Sequence, residues 1–372
     1  MAYRPGSDKV LFSTVGLLTA LGLVMVYSAS SVHAVATHGE ASYFFLRQLI
    51  FAGIGFAALL GFMHVDYHFF QNTRVLKIIL FSTAAALIFV LIQPAVNGAH
   101  RWFFVKGISI QPSEFAKLGV LIFIAWYMHQ YEKDINNPER ITAICAAVVI
   151  FAGLIGVEPD MGQAFTLCLI AAILLLMAGL AWRYIAGALL FAVVFGPVLF
   201  YFLVYRSDYR WKRVLAYLDP EADLTGVAWQ INQSFIAIGS GGIFGLGPGD
   251  SKQKLYFLPE SSTDFIFAII CEELGFIGAA LVVAAFLIIF YRGMKIAMKS
   301  HDRFGFYLGT GITLMVTLQG FINISMVLGL LPTKGIALPF ISQGGSSLLM
   351  NLAAIGILLN LSHQNKIEGA VE

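Results

Sequence analysis

Long apolar runs, separated by shorter polar segments, dominate the chain from residue 11 onward. Ten of these runs approach or exceed the roughly 17–25 residues that a helix needs to cross a bilayer. They cover residues 11–32, 45–63, 75–93, 115–130, 141–157, 163–180, 183–204, 265–291, 305–330 and 345–362. Because backbone groups inside lipid must be bonded within the segment, each run is predicted to be a helix. The pattern therefore predicts an all-α polytopic membrane protein, with a single ten-helix transmembrane domain over residues 1–372.

The distribution of positive charge predicts how these helices are oriented. An even number of spans places both termini on the same side of the membrane. Twelve Lys and Arg residues lie near the short loops on that side, against five on the other side when the long segment 205–264 is set apart. Cytoplasmic loops carry the excess of Lys and Arg in membrane proteins, and long loops are discounted. Both termini are predicted to be cytoplasmic, with a large outer loop at 205–264 between the seventh and eighth helices.

The composition supports a membrane protein and excludes some partners. The chain is 59% hydrophobic and 12% charged, whereas soluble domains are about 25% charged. The net charge is +2 and no stretch forms a basic face, so no nucleic-acid partner is expected. The histidines and cysteines lack metal-ligand spacing.

A turn before the eighth apolar run carries two carboxylates, Glu260 and Asp264. Pro259 marks the turn, and Asp264 falls where the N-cap of the following helix is expected. Two interpretations follow. Asp264 caps the helix, or it performs chemistry at the membrane boundary, where ionisable groups are costly and tend to be functional.

Other charged residues gather at the predicted outer ends of helices. They are Arg101 and Lys106 with Glu114 and Lys117, then Glu158 and Asp160, and then Arg206, Asp208, Arg210, Lys212 and Arg213. Structural interpretations remain open for each group. Glu114 and Lys117 are three residues apart and can form an ion pair on one helix face. Asp160 can cap the sixth helix, and the cations after the seventh helix can extend to the interface.

Two glycine-rich stretches also need an interpretation. The stretch 239–249 matches neither phosphate-binding glycine motif, so a re-entrant or flexible outer loop is expected there. The stretch 342–347 precedes the last helix and includes Ser342, Gly344 and Gly345. Its backbone amides can bind an anion, or its small residues can allow close helix packing.

Taken together, these motifs resemble the shape, elongation, division and sporulation (SEDS) family over nearly the whole chain. The matching stretches are Val-Met-Val-Tyr-Ser-Ala-Ser at 24–30, Gly-Ala-His-Arg-Trp at 98–102, Gln-Pro-Ser-Glu-Phe-Ala-Lys at 111–117, Glu-Pro-Asp-Met-Gly at 158–162, Gln-Ser-Phe-Ile-Ala-Ile-Gly-Ser-Gly-Gly at 233–242, Leu-Pro-Glu-Ser-Ser-Thr-Asp-Phe-Ile-Phe at 258–267, Glu-Glu-Leu-Gly at 272–275 and Pro-Phe-Ile-Ser-Gln-Gly-Gly-Ser-Ser at 339–347. Residues 27–31 and 331–335 look more like the division branch of the family than the elongation branch.

The resemblance implies a peptidoglycan glycosyltransferase that polymerises lipid II on the outer face of the bacterial cytoplasmic membrane. It implies septal wall synthesis beside a class B penicillin-binding protein and other division proteins. Asp264 matches the essential aspartate of the family. The positions expected to bind substrate are Arg101, Glu114, Lys117, Glu158, Asp160, Arg210, Lys212, Glu260, Ser342, Gly344 and Gly345.

The residues and the resemblance predict the same chemistry. Asp264 is expected to accept a proton from the attacking sugar hydroxyl, and cations such as Arg101 and Lys117 to stabilise the departing lipid diphosphate. Whether a divalent cation, Mg²⁺ or Mn²⁺, shares that task stays open. Three alternatives also stay open: an elongation-type polymerase, a lipid II flippase without this chemistry, and a scaffold for the transpeptidase.

Overall fold

A computed structural model describes residues 7–94, 100–105, 108–219 and 226–368. It is a bundle of α-helices with one short β-hairpin. The helices are α1 (Lys9–His38), α2 (Tyr43–His64), α3 (Thr73–Val90), α4 (Pro112–Gln130), α5 (Pro138–Val157), α6 (Met161–Met177), α7 (Trp182–Phe200), α8 (Asp208–Leu218), α9 (Val227–Gly241), α10 (Ile266–Met298), α11 (Arg303–Val327) and α12 (Gly345–Glu368). Strands β1 (Phe103–Val105) and β2 (Ile108–Ile110) pair antiparallel, with Phe103 opposite Ile110.

Each of the ten predicted apolar runs falls on a helix, namely α1 to α7 and α10 to α12. Within the described ranges, seven helices are long and apolar enough to span a membrane: α1, α2, α3, α5, α10, α11 and α12. This confirms a helical, multi-pass membrane protein. The remaining three, α4, α6 and α7, are shorter or less apolar, so their spanning role stays a prediction.

The last two helices form the centre of the bundle. In their most apolar windows α11 is 78% buried and α12 is 83% buried, against 22% for α3. Small residues allow this close packing. At Gly356 of α12, a Cβ atom would lie 2.5 Å from the backbone oxygen of Leu59 on α2. By contrast, most side chains of α7 are exposed apolar groups, as expected for a lipid-facing helix.

The segment before α10 is more ordered than the predicted outer loop suggests, since it contains α8 and α9. Its glycine-rich part docks on α10 where Gly275 interrupts the helix with φ 67°. The amides of Leu246 and Gly247 donate to the carbonyls of Glu272 and Glu273, at 2.9 and 3.1 Å. These amides are therefore engaged by the protein itself, which argues against a phosphate cradle. The re-entrant or flexible outer loop stays a prediction.

Two buried carboxylates of α10 hold the rest of this loop in place. Glu272 accepts from the Ser251 hydroxyl at 2.5 Å and from the Lys252 amide at 3.0 Å. Glu273 pairs with the Lys254 ammonium at 3.0 Å and accepts from the Ser28 hydroxyl of α1 at 2.6 Å. Residues 251–254, which precede Glu260 and Asp264 in the sequence, are thus fixed to α10.

Candidate functional site

Asp264 lies in the turn just before α10 and does not cap it. The helix begins at Ile266, its N-cap position is Phe265, and no side chain accepts a capping hydrogen bond there. The neighbouring Thr263 hydroxyl bonds to the Glu260 carboxylate at 2.7 Å instead. The capping interpretation of Asp264 is therefore wrong, and its half-buried carboxylate is left to face the site.

The surroundings of Asp264 favour its protonated form more than water does. Its pKa is raised to about 7, mainly by burial and then by the nearby Glu260 and, more weakly, Asp160, while Arg213 and Arg101 act in the opposite direction. Glu260 itself is exposed and has a positive φ of 55°, a conformation that costs energy in a residue with a side chain. A carboxylate with a pKa near neutrality is well suited to accept a proton.

The side chains of Arg101 and Asp264 both approach Gly335. A Cβ atom at Gly335 would lie 3.2 Å from Oδ2 of Asp264 and 3.7 Å from Nη1 of Arg101. Two backbone carbonyls fix the Arg101 guanidinium: its Nε donates to the Glu158 carbonyl at 3.1 Å, and its Nη2 donates to the Pro159 carbonyl. Glycine at 335 therefore leaves space between a carboxylate and an anchored cation, and the sequence patterns did not single it out.

Asn323 of α11 is a second residue that the sequence analysis missed. Its side-chain amide donates to the backbone carbonyl of Asp264 at 2.8 Å and to that of Ile336 at 2.7 Å. Asn323 is fully buried, so both bonds lie away from water. One side chain thus ties the Asp264 turn to the loop that carries Gly335.

Glu114 and Lys117 form the buried ion pair that their spacing allows. The Lys117 ammonium lies 2.9 Å from Glu114 and donates to the Gln319 side chain at 2.8 Å. Gln163 of α6 donates to the other oxygen of Glu114 at 2.7 Å. Lys117 is only 1% exposed. This geometry favours a structural ion pair linking α4, α6 and α11 over direct contact with a diphosphate.

Glu158 and Asp160 flank the tight connection from α5 to α6. Asp160 accepts from the Gln163 amide at 3.4 Å, which confirms the predicted cap, and from the Gln111 side chain at 2.9 Å. Burial raises its pKa, against the effect of Arg101. Glu158 is fully buried, and neither carboxyl oxygen has a hydrogen-bond partner among the described residues. Burial and then Asp160 raise its pKa to about 8, with Arg101 opposing them.

Of the cations after α7, Arg206 precedes the amphipathic helix α8, and Arg210, Lys212 and Arg213 lie on it. Arg213 donates to the Thr333 carbonyl at 3.0 Å, which brings α8 against the loop before α12. Arg213 is also the cation with the largest effect on Asp264. Arg210 is half-buried and Lys212 is exposed. Arg213 thus acts electrostatically on Asp264, and the roles expected for Arg210 and Lys212 stay predictions. Lys106 lies outside the described residues.

The stretch 342–345 is occupied by internal contacts. The Ser342 hydroxyl donates to the Thr263 carbonyl at 2.5 Å and accepts from the Leu338 amide at 2.8 Å. The Gly344 amide donates to Gln48 at 3.2 Å. A Cβ at Gly345 would lie 2.4 Å from the Phe51 ring. Close packing beside the Asp264 turn is therefore the better supported of the two interpretations for this segment.

Lys334 is a further cation that the sequence analysis did not assign to the site. It precedes Gly335, it is half-buried, and its ammonium lies 4.4 Å from the centre of the Phe165 ring. Burial lowers its pKa. No carboxylate within the described ranges forms a salt bridge with it. An incoming anion would supply the missing negative charge.

A metal site needs several ligand side chains close together. In the part of the chain that the structure describes, no group of three or more His, Cys, Asp or Glu side chains is arranged to hold a metal ion. The carboxylates around Asp264 therefore do not by themselves fit a bound Mg²⁺ or Mn²⁺, and no chemical step below depends on one.

Comparison with known sequences identifies close relatives over nearly the full length. The family model FTSW_RODA_SPOVE, described as "Cell cycle protein", matches residues 8–367. A probable peptidoglycan glycosyltransferase FtsW from Trichlorobacter lovleyi is 43% identical over 359 residues, covering 95% of this chain and 93% of the relative. Stage V sporulation protein E from Bacillus subtilis is 39% identical over 365 residues, covering 98% and 99%.

Solved structures share the fold at lower identity. One chain comes from work on structural coordination of polymerization and crosslinking by a peptidoglycan synthase complex. It superposes with a TM-score of 0.79 at 24% identity, covering 97% of this chain and 99% of that one. The rod shape determining protein RodA of Thermus thermophilus gives a TM-score of 0.71 at 22% identity, covering 97% and 98%. At these identities the likeness concerns the fold alone.

Proposed function

The chain belongs to the FTSW_RODA_SPOVE family of cell cycle proteins, and from that premise we propose that it is a peptidoglycan glycosyltransferase of the division type. Its substrate would be lipid II, polymerised into glycan strands at the outer face of the bacterial cytoplasmic membrane. The observation that carries the proposal is that the Asp264 carboxylate, with its pKa raised to about 7, and the anchored Arg101 guanidinium both lie beside Gly335.

The proposed reaction needs a base and a stabilised leaving group. The acceptor sugar hydroxyl attacks the anomeric carbon of the donor, and Asp264 takes the hydroxyl proton. A new glycosidic C–O bond forms while the bond from that carbon to the diphosphate oxygen breaks. The lipid diphosphate leaves with the bonding electron pair. A positioned base of this kind typically contributes about 10²–10⁴-fold to the rate.

Three cations support the leaving diphosphate in this proposal. Arg101 places Nη1 beside Gly335, next to which the Asp264 carboxylate also lies. Arg213 acts on the same carboxylate, and Lys334 brings a half-buried ammonium without a carboxylate partner in a described residue. Fixed cations in a partly desolvated site stabilise developing negative charge without reorganising. Lys117 contributes indirectly, by holding α4 against α11.

We place this site at the outer face of the membrane. The proposed topology has ten spans in one domain, both termini in the cytoplasm, and residues 205–264 outside. The excess of Lys and Arg on the terminal side supports that orientation. It also puts α8, the Asp264 turn and the loop 331–344 on the side where lipid-linked sugars are polymerised.

The proposed partner is a class B penicillin-binding protein, within a septal assembly of division proteins. Support comes from the structural neighbour, which belongs to a peptidoglycan synthase complex. Affinity purification of the full chain from its native membranes should recover such a transpeptidase. Repeated recovery of active polymerase without one would argue against an obligate pair. Depletion should give filaments with blocked septa, whereas round cells would indicate the elongation branch.

The test of the proposed activity is polymerisation of lipid II by the purified full chain in detergent, with products resolved on a gel. A glycan ladder is expected. A flippase or a scaffold would leave lipid II unchanged in detergent, where there is no bilayer to cross. Absence of product from folded protein, both alone and with its transpeptidase, would refute the proposed function.

A further inference from the structure

The Glu158 carboxyl group is buried without any hydrogen-bond donor from the described residues that would stabilise a negative charge on it. Its side chain is 0% exposed, and both carboxyl oxygens lack hydrogen-bond partners among the described residues. The adjacent Arg101 guanidinium bonds to the backbone carbonyls of residues 158 and 159 through Nε and Nη2, not to the carboxyl group. Burying an ionised carboxylate without donors or a bonded cation is very costly.

The other buried carboxylates nearby are solvated by the protein. Glu114 has an ammonium at 2.9 Å and an amide donor at 2.7 Å. Asp160 has a side-chain amide donor at 2.9 Å and the helix cap. Two kinds of buried carboxyl group therefore lie close together. Glu114 and Asp160 accept hydrogen bonds from protein donors, whereas Glu158 accepts none from the described residues.

Resting on the proposed glycosyltransferase function, we propose that Glu158 is a positioning residue that works in its uncharged form. As a neutral acid it has one O–H donor and one carbonyl acceptor, and it fills the connection that anchors Arg101 without adding charge. An amide of the same shape provides the same groups. A second anion at this position would instead attract the Arg101 guanidinium away from the diphosphate.

Among the described residues, two charged groups act on Glu158. Asp160 lies at the start of α6, and Arg101 lies just before β1. Asp160 opposes ionisation and Arg101 favours it. Since loss of the Glu158 proton would occur at pH values around 8, the wild-type enzyme should lose affinity for lipid II as the pH rises through that region. A Glu158→Gln variant has no proton to lose there.

The test compares wild type with Glu158→Gln, Glu158→Ala and Asp264→Asn in lipid II polymerisation by the purified full chain. At pH 7, Glu158→Gln should stay within about threefold of wild type. Glu158→Ala should lose about tenfold or more, because the cavity left by the buried side chain lets the connection whose carbonyls anchor Arg101 shift. Asp264→Asn should lose at least about 10²-fold. Between pH 7 and about pH 9, KM should rise in wild type and stay flatter in Glu158→Gln.

Infrared difference spectroscopy gives a readout that does not depend on activity. At pH 7 the wild-type minus Glu158→Gln difference spectrum should show a carboxylic-acid C=O band, in addition to any band from Asp264 that both enzymes share. Three results would overturn the proposal: a Glu158→Gln enzyme as impaired as Asp264→Asn, a fully active Glu158→Ala enzyme, or the absence of the band. Each is distinct from failure of the proposed function, in which wild type itself forms no glycan.

Discussion

The side-chain amide of Asn323 holds the backbone carbonyl of Asp264 at 2.8 Å, and the same nitrogen holds the carbonyl of Ile336 at 2.7 Å. Asn323 belongs to α11, one of the two most deeply buried helices. Asn323 therefore fixes the backbone at Asp264, the proposed base, and at Ile336 to the buried centre of the bundle. Site groups supported in this way keep the geometry that the reaction needs.

Replacing Asn323 with Ala should lower activity through geometry. Two carbonyls would lose a buried donor, and each unsatisfied group costs about 1–3 kcal/mol. We expect a lower thermal midpoint and a fall in kcat of about tenfold, with a smaller change in KM. Initial rates of lipid II polymerisation, normalised to folded protein, measure the effect.

Asn360→Ala is the matched control for that variant. Asn360 is also buried, and it donates to the Met63 carbonyl at 2.9 Å and accepts from the Tyr67 amide at 3.1 Å. It lies 15 residues beyond Gly345 on α12, which is about 22 Å at the usual helical rise. It should lose stability but keep kcat. Equal loss of kcat in both variants would show that Asn323 acts only through general stability.

The helices were predictable because an apolar run of bilayer length has only one stable backbone solution in lipid. The family was also predictable from short motifs, and the comparisons confirm it. Long-range contacts were not predictable. Asn323 and Asp264 are 59 residues apart in the sequence, and Lys117 and Gln319 are 202 apart. No local sequence pattern therefore predicts these hydrogen bonds. The sequence left capping and chemistry open for Asp264, and capping fails for a local reason: α10 starts at Ile266, one residue later than an N-cap at Asp264 requires.

Lys334→Gln should weaken substrate binding. A hydrogen bond to a charged group contributes about 1.5–3 kcal/mol, so loss of the ammonium should raise KM for lipid II by about tenfold or more. Lys334→Arg keeps the charge and should recover most of the affinity. Lys252→Gln removes an exposed lysine of the proposed outer loop, residues 205–264. It is the control for loss of a positive charge away from the site. An unchanged KM in Lys334→Gln would exclude this lysine from the diphosphate site.

The pH dependence of kcat/KM should show an acid limb near pH 7. Asp264 must be ionised to accept a proton, and its pKa is raised to about 7, so activity should increase with pH through that region. Glu260→Gln removes a charge that raises this pKa and should move the limb to lower pH. Arg213→Gln removes a cation that lowers it and should move the limb to higher pH. Identical limbs in all three enzymes would assign the titration to another group.

The orientation can be tested by labelling cysteines placed at residues 250 and 368. Native Cys145 and Cys168 are exposed on helix surfaces while Cys271 is buried, so all three are first replaced by Ala. An impermeant thiol reagent applied to intact spheroplasts should label Asp250→Cys and not Glu368→Cys. Permeabilised cells provide the control for reactivity. The reverse labelling pattern would invert the proposed topology.

Polymerisation of lipid II by purified Asp264→Asn beside wild type tests the central claim most directly. The capping role is absent from the structure, so the amide should fold and insert normally while being unable to accept the hydroxyl proton. Asp250→Asn changes an exposed aspartate of the proposed outer loop; it is the matched control and should form normal glycan chains. The account predicts that Asp264→Asn loses at least about 10²-fold in rate. Chains of normal length and yield from Asp264→Asn would contradict its assignment as the base.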